Sequence, residues 1–380
     1  MKNKRILIVG GGIAGLAMMN RLEAIGCKPT LVEKAQNIRS DGTGILLGIN
    51  AISILKKMSL FEKIKNSSIK LSSMIALDEN GNKIVINDLN YLEEKSGQTT
   101  HGIGREELFT ILYESVNKNN IFTNKEIIKV ENVEDKVKVT CKNNAVEIYD
   151  LVIGADGANS IVRTSIFGKT EFRDAKQGCW RFMVKTPENF NEFAISEYFG
   201  LGKRAGFMPL KNNTLYCYVL LNSDKFDKKS LPKTEDLMKY FEDFKGQWEN
   251  ISLEILKNQN FIFNEIKDLS QICIQKENVV LIGDASHAVT PNLGQGAALG
   301  LEDAFILADI LNSNENIKDA LKEFEKERYK RVKMIRDKSF MIGKSVQSSS
   351  FIFSKVRNFI YRLMSDKFVT NDTFKTLKIW

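Results

Sequence analysis

Arg5-Ile6-Leu7-Ile8-Val9-Gly10-Gly11-Gly12-Ile13-Ala14-Gly15 is the stretch that decides the fold. It begins with a continuous branched run, the mark of a strand covered on both faces of a parallel sheet. Glycines follow, then a helical pattern through Leu16, Met19 and Leu22, which Gly26 closes. A second strand, Pro29 to Val32, ends at Glu33. Strand, Gly10-x-Gly12-x-x-Gly15, helix, strand and acid together form a dinucleotide-binding pattern. Gly10 permits the tight turn, Gly12 lets a pyrophosphate approach the backbone, and Gly15 lets helix and strand pack closely. The phosphates would sit on the free N–H groups of the helix start, around Ile13 and Ala14. Glu33, followed by Lys34, stands where a carboxylate accepts bonds from ribose hydroxyls. The motif leaves NAD and FAD both open, and a glycine-rich turn of another α/β protein is the plain alternative.

Two later stretches repeat the strand-to-turn design. Asp150 to Gly154 reads as a buried strand running into Asp156-Gly157, with Ser160 placed to cap the next helix. Val279 to Ile282 runs into Gly283-Asp284. A loop carrying Pro291, Gly294, Gln295 and Gly296 then opens a helix from Ala297. Taken singly, Asp156 could be a turn former, Asp284 a helix cap and Arg105 a surface residue at a helix start.

In order and spacing these motifs resemble the FAD-dependent aromatic hydroxylases that share the p-hydroxybenzoate hydroxylase fold. These are single-component flavoprotein monooxygenases, and the chain looks most like their salicylate- and urate-hydroxylase-like branch. Arg105, in Gly104-Arg105-Glu106-Glu107-Leu108, matches a cofactor-contacting arginine, and Glu325 with Arg328 resembles a late family stretch. The resemblance implies an α/β fold. A Rossmann-like FAD-binding domain (1–72, 100–170 and 266–343) would carry an inserted, mostly antiparallel β-sheet substrate domain (73–99 and 171–265). A C-terminal basic amphipathic helix would occupy 344–380.

The resemblance also implies chemistry. FAD would be the cofactor, NADPH or NADH the co-substrate, and a flavin C4a-hydroperoxide would hydroxylate or epoxidise a small aromatic or polycyclic substrate. Asp284 would bond the ribityl chain, Arg105 would touch the cofactor, and Asp156-Gly157 would serve both nucleotides. Backbone from Leu293 to Gly296 would face the pyrimidine edge of the flavin, where a helix N-terminus favours negative charge. The competing readings are a flavin-dependent reductase of an isoprenoid-like double bond and a membrane-surface binding module.

Between residues 171 and 265 the texture changes to alternating runs: Gln177–Lys185, Phe193–Gly200, Arg204–Pro209 and Thr214–Leu221. The pocket candidates are Trp180, Arg181, Phe199, Phe207, Met208, Pro209 and Tyr216. Arg181 either faces water or is buried against an anionic substrate or a carboxylate such as Glu197. Plain core packing is the expectation for each aromatic taken alone. His287 and His101 read as structural, and no catalytic triad or metal-ligand spacing emerges.

Of the 380 residues, 43% are hydrophobic and 27% charged, which excludes a disordered or fibrous chain. The net charge of +8 is uneven: residues 321–380 carry 15 basic and 6 acidic side chains, leaving 40 and 41 elsewhere. A balanced body argues against nucleic acid as a partner. Cys27, Cys141, Cys179, Cys217 and Cys273 suggest reduced thiols in a cytoplasmic protein, monomer or homodimer. In the tail, Phe351, Ile352, Val356, Phe359, Ile360 and Leu363 recur at helical spacing with Lys355, Arg357 and Arg362 between them. The expectation is that this stripe packs on the body, a membrane surface being the alternative.

Overall fold

The computed structural model describes residues 1–37, 42–188, 190, 192–258 and 260–378. Strand Ile6–Val9 lies in the middle of a six-stranded sheet, between Leu151–Gly154 and Thr30–Val32. Val279–Leu281 pairs on the far side of Leu151–Gly154, and Ile121–Phe122 beyond Thr30–Val32. These five strands are parallel. Both faces are covered, which is why the strands are apolar without alternation. Helices Ile13–Ala24, Arg105–Glu114 and Gly296–Ser313 contribute to the core on one face, and a three-stranded sheet over residues 127–149 packs on the other.

A seven-stranded, mostly antiparallel sheet stands against this layer, in the order Ile262–Leu269, Phe172–Lys185, Thr214–Asn222, Lys203–Leu210, Ala194–Gly200, Ser73–Leu77, Lys83–Asp88. Period two divides its side chains. Trp180, Phe182, Tyr198, Phe207, Leu215, Cys217 and Val219 form an aromatic-rich core with helices Thr234–Lys239 and Gln247–Leu256. The other face carries Arg181, Met183, Glu197, Arg204, Met208, Tyr216 and Tyr218, and it looks toward the nucleotide-binding layer.

The tail differs from the single helix expected over 344–380. A long helix, Ile317–Val346, is followed by Phe351–Leu363 and Asp366–Leu377. Extended backbone at Met364 breaks the run, and Ser365 caps the last helix by accepting from the Phe368 amide. That helix seals the open edge strand: Asp366 accepts from the Ile86 amide at 3.0 Å and Thr370 from that of Asp88 at 3.0 Å. All five cysteines are buried and unpaired. Among the described residues no helix is long and apolar enough to cross a membrane.

His101 is buried between Ser68 Oγ at 2.7 Å and Thr99 Oγ1 at 2.9 Å. Burial, with Lys70 nearby, pushes its pKa down to about 4. The unfolded chain, titrating near 6.5, therefore binds the extra proton between these values, and stability falls as pH drops through that window. We expect a loss of about 3 kcal/mol between pH 6.5 and 4 from this residue. Denaturant midpoints of the wild type and His101→Asn should show that part of the slope vanish in the variant.

Candidate active site

Three strand tips meet at one end of the parallel sheet. After Val9, Gly10 adopts φ +107°, and a Cβ there would lie 2.4 Å from Ala155 O. The first turn and the Asp156-Gly157 turn therefore touch backbone to backbone. Gly15 is equally tight, its virtual Cβ lying 2.0 Å from Gly10 O. Gly12 is open: it begins helix Ile13–Ala24 without a side-chain cap, and nothing lies within 4 Å of its virtual Cβ. Free helix amides facing open space can receive phosphate oxygens. Glu33 fastens the second strand to this loop, accepting from the Gly11 amide at 2.8 Å and the Ala35 amide at 2.9 Å. Each carboxylate oxygen keeps a lone pair for a ribose hydroxyl. Lys34 is exposed beside it.

In the second turn, Asp156 Oδ2 accepts from the Ile161 and Val162 amides at 2.8 and 3.2 Å. It thus caps the helix that Ser160 also caps through the Arg163 amide. Asp156 Oδ1 is buried with no partner among the described residues, and burial raises the pKa of the carboxyl. Arg163 ties the second turn to the third, reaching Ala158 O at 2.6 Å and Ala285 O at 2.7 Å.

In the third turn, Gly283 adopts φ +57° and packs against Ala14. Asp284 accepts no hydrogen bond from the described residues. Solvent reaches it, yet protein surrounds it closely, as befits a side chain lining a cleft. This enclosure raises its pKa against the opposing charges of His287 and Arg105. Arg105 begins helix Arg105–Glu114, with its side chain exposed near that carboxylate. Pro291 starts a short 3₁₀ turn, Gly294 is left-handed, and Gln295 is buried. Helix Gly296–Ser313 then opens with no side-chain cap and with open space at Gly296.

The donors and acceptors fit FAD. Uncapped amides at Gly12 suit a pyrophosphate, Glu33 a ribose, the unpartnered Asp284 carboxylate a polyol chain, and the uncapped amides at Gly296 an electron-rich ring edge.

A buried ionic cluster holds the third turn. Asp303 Oδ2 accepts from the Gly283 amide at 2.8 Å and from His287 Nε2 at 2.6 Å, and Arg328 Nε binds Oδ1 at 2.7 Å. Burial works to raise the Asp303 pKa, but His287 and Arg328 override it and hold it at about 2. Neighbouring Glu302 takes Arg328 at 2.8 Å, Arg331 at 3.0 Å and Asn50 at 2.7 Å. Asn50 also bonds Gln295 Oε1 at 2.7 Å. Arg328 thus acts by positioning, and His287 is structural.

Above the cleft, the inner sheet face forms a roof. One row crosses four strands as Arg181, Tyr218, Gly206 and Glu197; Met183, Tyr216 and Met208 form the next. Gly206 is required because a Cβ would strike the Tyr218 ring at 2.4 Å. Gly44 likewise admits the Tyr216 ring. Arg204 binds Glu197 at 3.2 Å, Gln347 at 2.7 Å and Asn292 at 2.8 Å, joining roof to ring loop. Arg181 bonds Asn264 at 2.7 Å and also the Tyr216 hydroxyl; it has no carboxylate partner among the described residues.

Of the pocket candidates, then, Arg181 and Tyr216 face the cleft, while Met208 shares their side of the sheet but is buried in an apolar cluster with Ile49, Leu71 and Ile195. Phe207 and Trp180 do not: alternation turns them into the opposite core, and Pro209 shares that side. Phe199 is on the inner side but lies under the tail, packed with Ile84 and Val346. Sequence reasoning missed Tyr218, Arg204, Asp303 and Asn50. Alternation from Tyr216 was the available signal for Tyr218.

A profile of the FAD binding domain family matches residues 3–339. The chain is 31% identical over 365 residues to 2-heptyl-3-hydroxy-4(1H)-quinolone synthase of Pseudomonas aeruginosa (strain UCBPP-PA14), covering 94% of each protein. It is 27% identical over 338 residues to a flavin-dependent monooxygenase of Legionella longbeachae, covering 81% of this chain and 80% of that one. The crystal structure of Klebsiella pneumoniae HpxO with FAD and uric acid superposes with a TM-score of 0.90 at 22% identity, over 99% of this chain and 97% of that one. With family motif, relatives and fold in agreement, the chain belongs to the FAD-binding, flavin-dependent monooxygenases, and it is an oxidoreductase that uses FAD, NAD(P)H and O2.

Proposed function

We propose that this monooxygenase hydroxylates a planar heteroaromatic ring whose ionised oxygen pairs with Arg181. One observation carries the reading: a guanidinium faces the cleft with neutral hydrogen-bond partners among the described residues, and an anionic ligand group offsets that cost. The tyrosines add to it. Burial raises the pKa of both Tyr216 and Tyr218, so each hydroxyl stays protonated near neutral pH and can donate to a substrate oxygen. The P. aeruginosa relative, named for a hydroxyquinolone product, supports a ring of this type.

FAD would be held by Gly10, Gly12, Ile13, Ala14 and Gly15 at the pyrophosphate, with Glu33 and Lys34 at the ribose. Arg105, Asp156, Gly157, Gly283 and Asp284 would line its central part, and Pro291, Gly294, Gln295 and Gly296 its ring. When bound, FAD supplies the redox chemistry, accepting hydride from NAD(P)H and activating O2. The helix amides at Gly296 stabilise negative charge at the ring edge. Arg181 orients the substrate oxygen and keeps it ionised, which enriches the ring carbon to be oxygenated. The apolar flank of Met183 and Met208 keeps water out.

Arg181→Met tests the pairing. Losing a charge-assisted bond of about 1.5–3 kcal/mol should lower kcat/KM roughly 10- to 100-fold on ring substrates with an ionisable oxygen. Flavin content should not change. A variant as efficient as the wild type on every such ring would refute the assignment. Isotopically labelled O2 should place one labelled atom in each product molecule, which a double-bond reductase would not do.

A further inference from the structure

Helix Phe351–Leu363 is docked the opposite way from the sequence expectation. Ser354, Arg357 and Asn358 form its buried side. Arg357 is fastened to Ser345 O at 2.8 Å, stands 5.3 Å over the Phe199 ring and holds Asn358 Oδ1 at 2.8 Å. Arg362 ties the helix end to Asp78 at 2.5 Å. The apolar side therefore points outward. Ile352, Val356, Phe359 and Leu363 follow one another at steps of four, three and four residues, and they are 76%, 51%, 61% and 71% exposed. Phe353 and Ile360 widen the stripe on one flank, while Lys355 and Arg362 border it on the other. Lys344 and Lys367, on the adjoining helices, are exposed as well. A monomer surface seldom leaves such a stripe bare without a partner.

We infer that this helix lies flat on an anionic lipid surface, with the stripe at the acyl boundary and Lys355 and the exposed lysines of the adjoining helices among the headgroups. Two independent features select this occupant. An outward apolar face edged by Lys and Arg is the geometry of an interfacial helix. The segment around the stripe is also cationic: residues 344–380 hold 7 basic against 2 acidic side chains. That excess attracts anionic headgroups, and it opposes the pairing of two copies stripe to stripe. The inference does not depend on the substrate assigned above.

The test uses the full-length, FAD-loaded enzyme in vesicle sedimentation. It should pellet with vesicles of phosphatidylethanolamine and phosphatidylglycerol, and about tenfold less with phosphatidylcholine alone, with added salt releasing it. Val356→Glu with Phe359→Glu should weaken binding at least about tenfold, since each change removes a buried apolar side chain from the lipid boundary. Lys355→Glu should weaken it several-fold, and it keeps the test open if the double variant fails to fold. Both variants should retain wild-type NAD(P)H oxidation, because none of these residues lies in the cleft. Enzyme that stays in the supernatant with anionic vesicles overturns the inference. So does a chain that doubles its mass in solution and reverts to one copy in the double variant, which would make the stripe a self-association surface.

Discussion

Arg328→Met lowers the stability of the whole enzyme by about 3–5 kcal/mol, the cost of stranding buried charge. Arg328 is 2% exposed and bridges two fully enclosed carboxylates, Glu302 and Asp303. Methionine fills similar volume without compensating either. Glu302 keeps Arg331 and Asn50, and Asp303 keeps His287 and the Gly283 amide, so the cluster weakens rather than vanishes. The damage should reach the cofactor, because the Gly283 amide is held by the very carboxylate that loses its cation. We expect a thermal midpoint several degrees lower and weaker flavin retention in the same protein. Adding Asp303→Asn should cost less in the Arg328→Met background than alone, since the pair shares one interaction. Equal costs in both backgrounds would show that Arg328 and Asp303 do not work as a unit.

Asp284→Ala should leave the fold intact and weaken FAD binding roughly 10- to 100-fold, the worth of a charged hydrogen-bond acceptor. Its carboxylate accepts no hydrogen bond from the described residues, and solvent reaches it inside the cleft. Removing it relieves an enclosed charge, so the melting point of the apoprotein should hold or rise. Equilibrium titration with FAD and calorimetry of the apo form measure the two effects separately. Asp284→Asn should recover part of the affinity. A variant that purifies as yellow as the wild type would place the polyol chain elsewhere.

The cofactor half of the cleft was legible because its signals are local. Each turn follows a short apolar run, and buried parallel strands need no alternation, so Ile6–Val9, Leu151–Gly154 and Val279–Leu281 stand out in the sequence. The roof was half legible. Alternation separates Arg181 from Trp180 and Met208 from Phe207, but nothing local says which set faces the cleft. Trp180 and Phe207 serve the second core because two helices from residues 234–256 cover that side, a matter of tertiary packing. The carboxylate cluster was hidden for a related reason. Glu302 and Asp303 read as charges within an apolar helix, and their partners lie at Asn50, Arg328 and Arg331. The tail shows the same gap: periodicity announces a stripe, while the contacts of Arg357 and Asn358 decide which way it turns.

The order of the parallel strands bears on how the enzyme is made. Neighbours in that sheet come from positions 6, 151 and 279, so the third turn leaves the ribosome well after the first two. Until then the nascent protein offers only part of a nucleotide cradle and must wait with Leu151–Gly154 lacking its neighbour on one side. Cofactor capture therefore waits for the third turn, and until that turn arrives the open side of Leu151–Gly154 is what a chaperone or protease would meet.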